Sequence, residues 1–499
     1  MPTHDVLVCG LGPVGQLLAL LLGDRGVRTL AIDRAPEPYA LPRAAVIDDE
    51  VLRILQSVGL DRAVLADAQV QPRASIVTAA GRAVEVFAAD TGLLGHPPLV
   101  SINQPGIERT MLAALETRPT VEVRRGLALE TIDRRADRVD AYLRPAAGGR
   151  SERVSARWLV GCDGGASAVR TRLQIPFEGR TAPQRWIVVD ALVDRPLRKV
   201  PHPHFVGRAA RPIVTLPMSP GRHRWEWMLH PGEDATPFLE PDALRGAVDE
   251  WLDGESAAIE RAVVYTFHTR TAARWRRGRV LLAGDAAHVM PPFVGQGLSS
   301  GARDAANLAW KLAACLGGAP DALLDTYEQE RRPHVAAMQR TANLMGGFVQ
   351  ATSPRRVRVR DAWLGAIDGT PAQRWLTSNV KPLPTYGAGA FAQRPHRLPP
   401  RRTVGTLFPQ TDRLDDRLPD GWAAVAVDAR AGALLRDGGL PVVDPGADRA
   451  WLDARRLAFA LLRPDRFVFA AGGVDDTRAA LCAWRRTTCM AATRAAVAA

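Results

Sequence analysis

Residues 279–312 read RVLLAGDAAHVMPPFVGQGLSSGARDAANLAWKL. The order is an apolar strand, a Gly284-Asp285 turn, a Pro291-Pro292 kink, a glycine loop at Gly295-Gln296-Gly297-Leu298 and an apolar-faced helix. A strand that ends in Gly-Asp delivers a carboxylate to the carboxyl edge of an open α/β sheet, where ligands of such sheets lie. Asp285 can there accept hydrogen bonds from sugar-type hydroxyls, or it can serve as an ordinary turn cap. The helix that follows presents free backbone N–H groups and a positive dipole end, suited to developing negative charge on a bound ring. Pro291-Pro292 stiffens the loop before it.

A second glycine motif stands at the other end of the chain. An apolar run at residues 6–9 leads into Gly10-Leu11-Gly12-Pro13-Val14-Gly15, which opens an apolar helix. In this G-x-G-x-x-G turn Gly10 permits the tight bend, Gly12 lets the backbone approach a pyrophosphate, and Gly15 lets helix and strand pack closely. The next apolar run ends at Asp33, about 20 residues on, where an acid can bind a ribose hydroxyl. NAD and FAD share this fingerprint. The downstream Gly284-Asp285 loop is the feature a simple NAD-dependent dehydrogenase would leave without a purpose, so FAD is the expected cofactor.

Composition limits the remaining choices. The chain has 499 residues, 46% hydrophobic and 24% charged, enough for two or three well-packed domains. No apolar stretch is long enough to span a bilayer and no secretory leader is evident, so a cytoplasmic protein without membrane contact is expected. The net charge of +12 comes from scattered arginines, with only Lys199, Lys311 and Lys381 as lysines. That scatter argues against a nucleic-acid-binding stripe. Cys9, Cys162, Cys315, Cys482 and Cys489 form no C-x-x-C pair, so neither a dithiol centre nor a structural metal site is expected.

Strand and helix patterns alternate early. From about residue 184 the pattern turns to period-two segments such as Arg224-Trp225-Glu226-Trp227, the signature of a half-buried sheet. The expected fold is α/β with an α+β insert. It divides into a Rossmann-like nucleotide domain over 1–183, an inserted β domain over 184–270 joined by strands near 74–100, the nucleotide domain resuming over 271–395, and a small α/β unit over 396–499. Within the insert, Trp225 and Trp227 share a face and either cover an aromatic ring or pack in the core. Phe293 borders the same region, and Arg208, Arg211, Arg222 or Arg224 could meet a substrate carboxylate or simply face solvent. His268 reads best as a structural histidine, so no proton-abstracting base is assigned.

The paired glycine motifs, together with Asp163-Gly164, resemble the fingerprints of the single-component aromatic hydroxylases of the p-hydroxybenzoate hydroxylase fold. PRAAVIDDEVLRILQSVGL (42–60), PFEGRTAPQRWIVVD (176–190) and LLDTYEQERRPH (323–334) resemble the 3-(3-hydroxyphenyl)propionate hydroxylase branch. RPDRFVFAAG (463–472) resembles that branch's thioredoxin-like C-terminal end. The resemblance implies FAD held by Gly10, Gly12, Pro13, Val14, Gly15, Asp33, Arg34, Leu127, Gly284 and Gly295. It further implies Arg43 at the flavin, Gln104 at the ribityl or pyrophosphate region, and Asp163 on the wall shared with the nicotinamide. Asp285 would bind the ribityl chain, Pro292 would lie beside C4a, and Gly297 and Leu298 would donate N–H groups to the flavin ring. The implied reaction consumes NAD(P)H and O2, passes through a flavin C4a-hydroperoxide and hydroxylates a small phenolic substrate. The alternative within the fold is a tailoring oxygenase (hydroxylation, epoxidation or Baeyer–Villiger insertion) acting on a larger polyketide or ansamycin. A homodimer is compatible with either.

Overall fold

The computed structural model describes residues 2–88, 92–379, 381, 383–392 and 403–488. The first sheet is built on the buried strand His4–Cys9, flanked in parallel by Thr29–Asp33 and Glu152–Gly161. Val121–Arg125 extends it on one side and Val280–Leu282 on the other, again in parallel. Strands buried on both faces need near-continuous apolar runs, which residues 6–9, 30–32, 158–160 and 280–282 supply, while the edge strand Val121–Arg125 reads VEVRR and is only half-buried. The register places Cys9 beside Ile32 and Gly161, and Gly161 beside Leu282. Four loops therefore leave the same sheet edge side by side. Helix Pro13–Gly23 starts directly after the first of them, with proline in its first turn, where the missing N–H costs nothing.

The second sheet has eight strands. Its order is His288–Val289, Ala257–Ala272, Phe177–Val193, Arg222–Leu229, Ile213–Pro217, His204–Val206, Arg73–Val77 and Ala83–Ala88. All pairs are antiparallel except His204–Val206 with Arg73–Val77. The expected start of the insert at residue 184 falls inside the strand Phe177–Val193, and its expected end at 270 falls inside Ala257–Ala272. The reason is physical. Residues 177–183 are largely exposed, so their polar sequence carries no inward-outward alternation to read. Val100–Ser101 belongs instead to a small three-stranded ribbon with Val46–Ile47 and Gln69–Val70.

Helices Gln296–Leu316, Asp325–Val349, Pro354–Ile367 and Pro371–Asn379 follow the return to the first sheet. The C-terminal unit has a four-stranded sheet in the order Val442–Val443, Ala423–Ala426, Phe459–Leu462, Val468–Gly472. Its first pair is parallel and the others antiparallel, which is the strand order of a thioredoxin-like unit. The expected boundary at 395–396 and Cys489 lie outside the described residues. Cys482 is free and exposed. No helix among the described residues is long and apolar enough to cross a membrane.

The C-terminal unit docks through buried ions as well as apolar side chains. Arg463 bridges Glu330 (2.8 Å) and Asp465 (2.5 Å), while Lys311 and Asn307 also reach Glu330, at 3.0 and 2.6 Å. Arg53 grips both carboxylate oxygens of Asp415 at 2.7 and 2.8 Å. Removing one partner of such a cluster leaves an uncompensated charge in low dielectric. Arg463→Ala should therefore lower unfolding stability by about 3–5 kcal/mol, read as a shifted urea midpoint. An unchanged midpoint would show that this cluster does not hold the unit in place.

Candidate active site

The loops at the sheet edge enclose a cavity of about 1280 Å³. That exceeds the roughly 300–1000 Å³ of a site for one drug-sized ligand. At one end lies the first glycine turn. Gly10 has φ +101°, and a Cβ there would stand 2.5 Å from the Cys162 carbonyl oxygen. A Cβ at Gly15 would stand 1.9 Å from the Gly10 oxygen. Gly12 differs: a Cβ there would meet nothing within 4 Å, because the position opens on the cavity. Gly10 and Gly15 thus serve packing, and Gly12 leaves room for a ligand at the helix N-terminus. Pro13, Val14 and Arg34 line the same end. Asp33 accepts from the Leu11 N–H (2.7 Å) and the Ala35 N–H (2.8 Å), so it braces the turn while each oxygen keeps lone-pair capacity.

The second loop is fixed from behind by Asp304, a fully buried carboxylate. It accepts from the Gly284 N–H at 3.0 Å, and pairs with His288 Nε2 at 2.7 Å and Arg331 Nε at 2.8 Å. These contacts hold Gly284 at φ +60° and leave the neighbouring Asp285 side chain facing the cavity. Asp285 hydrogen-bonds to no described residue, and enclosure by the surrounding protein raises its pKa. Gly295, at φ +63°, turns the chain into the 21-residue helix Gln296–Leu316. Pro292, Gly295, Gly297 and Leu298 all line the cavity, and a Cβ on Gly297 would meet only open space.

Between the two loops lie Arg43, Gln104, Leu127 and Asp163. The Gln104 amide oxygen accepts from the Arg43 N–H (3.2 Å) and the Ala44 N–H (2.6 Å), and its nitrogen donates to Glu108 (2.6 Å). Gln104 therefore shapes the loop that carries Arg43, and one amide hydrogen remains for a ligand. The Arg43 guanidinium sits 4.4 Å from the Tyr39 ring centroid. Asp163 accepts from Ser167 Oγ (2.5 Å) and the Val169 N–H (3.0 Å), while burial raises its pKa. Behind Gly295, Asp48, Asp49 and Glu50 meet Arg303 and Lys381 in a buried ion cluster. Burial beside Asp48 and Glu50 pushes Asp49 up to about 6.

The far half of the cavity rests on the second sheet. Phe293 packs edge-on to Trp186 and Phe267, each with ring centroids 5.7 Å away; Phe293 and Phe267 form the aromatic wall of the cavity and Trp186 backs them. Trp225 and Trp227 do not line this space. They are buried on the opposite sheet face against Leu244, Val248 and Trp251, which corrects the expectation that they cover a substrate ring. The alternation of side chains along a strand sends Arg224 and Glu226 into the cavity instead. Each of the four candidate arginines already has a protein carboxylate: Arg208 with Glu250, Arg211 with Glu233, Arg222 with Glu260 and Arg224 with Asp190.

Residues 3–342 match the family described as FAD binding domain. The chain is 35% identical, over 95% of its own length and 92% of the relative's, to the 3-(3-hydroxy-phenyl)propionate/3-hydroxycinnamic acid hydroxylase of Escherichia coli O8 (strain IAI1). The chain belongs to the FAD-dependent aromatic hydroxylases. Two solved structures share the fold across nearly the whole chain. One is the flavin-dependent monooxygenase PieE in complex with FAD and substrate (TM-score 0.81, 21% identity, 98% of this chain and 100% of that one). The other is aklavinone-11 hydroxylase with FAD and aklavinone (TM-score 0.79, 23% identity, 98% and 99%).

FAD is the cofactor of these hydroxylases, and the cavity fits it in three respects. Two helix N-termini open on the same space, Gly12 and Gly297 leave it unobstructed, and Asp285 offers an acceptor with no protein partner. The sequence reading missed Asp304, Asp48 and Glu226. Asp304 had a usable signal, a charged Arg303-Asp304 pair inside an otherwise apolar-faced helix. Asp285→Ala and Gly12→Val should each purify with little FAD. Each charged hydrogen bond lost at Asp285 is worth about 1.5–3 kcal/mol, so affinity should fall at least about tenfold. Flavin absorbance per protein after gel filtration reads this directly, and full retention by both variants would remove both residues from the cofactor site.

Proposed function

We propose that this protein hydroxylates a phenolic ring, placing one atom of O2 ortho to the existing hydroxyl with NAD(P)H as reductant, in the cytoplasm. Bound FAD, once reduced, would supply the activated oxygen. The observation that carries the reading is the 35% identity to a hydroxyphenylpropionate hydroxylase over 95% of the chain, on a cavity with a cofactor end and an aromatic end. The chain's own residues have definable tasks in it. Backbone N–H groups of Gly297 and Leu298 face negative charge that develops on the ring system, at the start of a long helix. Pro292 forms a rigid wall, and Phe293 with Phe267, backed by the buried Trp186, holds an aromatic ring while excluding water. Asp163 and Arg43 border the side from which a nicotinamide would approach.

The substrate class we favour is a monocyclic phenol with a short side chain, of the 3-(3-hydroxyphenyl)propionate type. A second reading, a larger uncharged aromatic, has one observation in its favour: Arg224, the arginine in the substrate half, is already neutralised by Asp190. The two separate in one assay. On the first reading 3-(3-hydroxyphenyl)propionate accelerates NAD(P)H oxidation and the product mass gains one oxygen. If that acid only releases hydrogen peroxide while uncharged phenols gain oxygen, the second reading replaces it. If no phenol gains oxygen, phenolic hydroxylation itself is wrong.

A further inference from the structure

We propose that Glu226 is the catalytic base of this site, accepting the proton of the substrate phenol. The inference rests on the phenolic reading above and adds the residue that reading lacks. Glu226 lies in the strand Arg222–Leu229 and points into the cavity, directly between Val188 and Val214 on the two neighbouring strands. It is only 8% exposed. A carboxylate in such a setting is costly unless something compensates it.

Its neighbours do not satisfy it. Arg224 is the nearest cation, with Nη1 3.9 Å from Glu226 Oε1, too far for a hydrogen bond. The guanidinium is committed elsewhere. Nε and Nη2 donate to the two Asp190 oxygens at 2.6 and 3.1 Å, Nη2 also donates to the Pro42 carbonyl, and Nη1 donates to the Arg43 carbonyl at 2.9 Å. Arg261 is likewise occupied by the Pro42 carbonyl, the Tyr265 hydroxyl and Asp190. Among the described residues no side chain hydrogen-bonds to Glu226, so its oxygens are free for a ligand O–H. Arg224 fastens the loop that carries Arg43, and Glu226 follows two residues later on the same face, about 7 Å along the strand. The carboxylate thus stands between the cofactor-side loop and the aromatic wall.

Burial, with the negative charge of Asp190 and against the pull of Arg224, pushes Glu226 up to about 7. Such a group is a stronger base than an ordinary carboxylate and is still substantially ionised near neutrality. His268 and Tyr265 line the same wall. Burial and Arg270 hold His268 below its ordinary value, so a limb near pH 7 is not its own. In the step itself the substrate O–H bond breaks, its electron pair stays on the phenolate oxygen, and the proton moves to a Glu226 carboxylate oxygen. The phenolate then feeds electron density to its ortho carbon. The proton returns to the product oxygen on release.

The linkage has a definite sign. A carboxyl whose folded pKa lies above its unfolded value costs stability increasingly as pH rises from the ordinary carboxylate range through about 7. Glu226→Gln should therefore be no less stable than wild type at pH above about 7.

The test uses FAD-loaded wild type, Glu226→Gln and Glu226→Asp with 3-(3-hydroxyphenyl)propionate and 3-propylphenol as probes. Coupled hydroxylation is followed against pH, and the ultraviolet difference spectrum of each phenol is recorded on binding to oxidised enzyme. Wild type should show a rate limb rising through about pH 7 and, with the same midpoint, the red-shifted phenol band of an O–H donated to a carboxylate. Glu226→Gln should keep its FAD, lose the limb and the band, and fall at least about 100-fold in kcat with KM little changed. Glu226→Asp should keep a displaced limb. An unaltered pH profile in Glu226→Gln, a change in KM alone, or loss of FAD from both variants would overturn the assignment. If wild type shows the pH-dependent red-shifted band yet hydroxylates neither probe, the functional reading fails while the base assignment is still judged by the band. Failure of wild type to bind either phenol overturns both.

Discussion

The site depends on how closely two helices approach at Val14. A Cβ on Gly301 would lie 2.4 Å from Val14 Cγ2, and one on Gly284 would lie 3.1 Å from it. Helix Pro13–Gly23 can pack this closely against helix Gln296–Leu316 and the Gly284 turn only because Gly301 and Gly284, which both face Val14, lack side chains. The approach brings two N-termini, far apart in sequence, to one cavity. A dinucleotide needs both, one for its phosphates and one for its ring system, and neither loop alone encloses enough space.

Asp304 turns that packing into a defined loop geometry. Its carboxylate collects the Gly284 N–H, His288 and Arg331, so the turn that presents Asp285 is held by charged hydrogen bonds from inside the protein. Burial would raise the pKa of such a group, yet His288 and Arg331 outweigh it and lower the value. Asp285, one residue outside that cage, has its pKa raised. Two aspartates near one loop are driven in opposite directions because one has protein partners and the other faces the space a ligand fills.

The cofactor half was legible in the sequence because glycine positions and strand-loop-helix order are local signals. Gly10, Gly15, Gly284 and Gly295 each stand where backbone conformation or close approach demands it, and Gly12 and Gly297 stand where the chain opens on the cavity. The substrate half was not legible to the same degree. In RHRWEWML the period of two was plain, but both faces of that strand are buried, so the alternation could not say which face meets the ligand. Hydrophobicity favoured the tryptophans, and they went to the core. Arg224 and Glu226 occupy the cavity face because Asp190, two loop carbonyls and open space offer charged groups what the opposite face does not. Gln104 shows another limit: its position at the site was readable, but its amide is largely spent on the Arg43 loop, a contact across 60 residues that no local pattern encodes.

The excess of arginine, which could suggest a polyanion partner, has a different explanation in the interior. Arg53, Arg224, Arg303, Arg331 and Arg463 are all buried, and each joins elements remote in sequence. Arg224 ties the second sheet to the Pro42–Arg43 carbonyls, Arg303 ties the long helix to Asp48 and Glu50, and Arg53 and Arg463 fasten the C-terminal unit. A planar guanidinium can satisfy a carboxylate and carbonyls at once with five fixed donors, whereas an ammonium is a compact, strongly hydrated point charge on a flexible stem. The cationic side chains within these joints are therefore neutralised inside the fold. Because Asp190 and backbone carbonyls consume Arg224, the substrate half retains a carboxylate without a hydrogen-bonded cation, and a ligand there is favoured when it brings a proton to share.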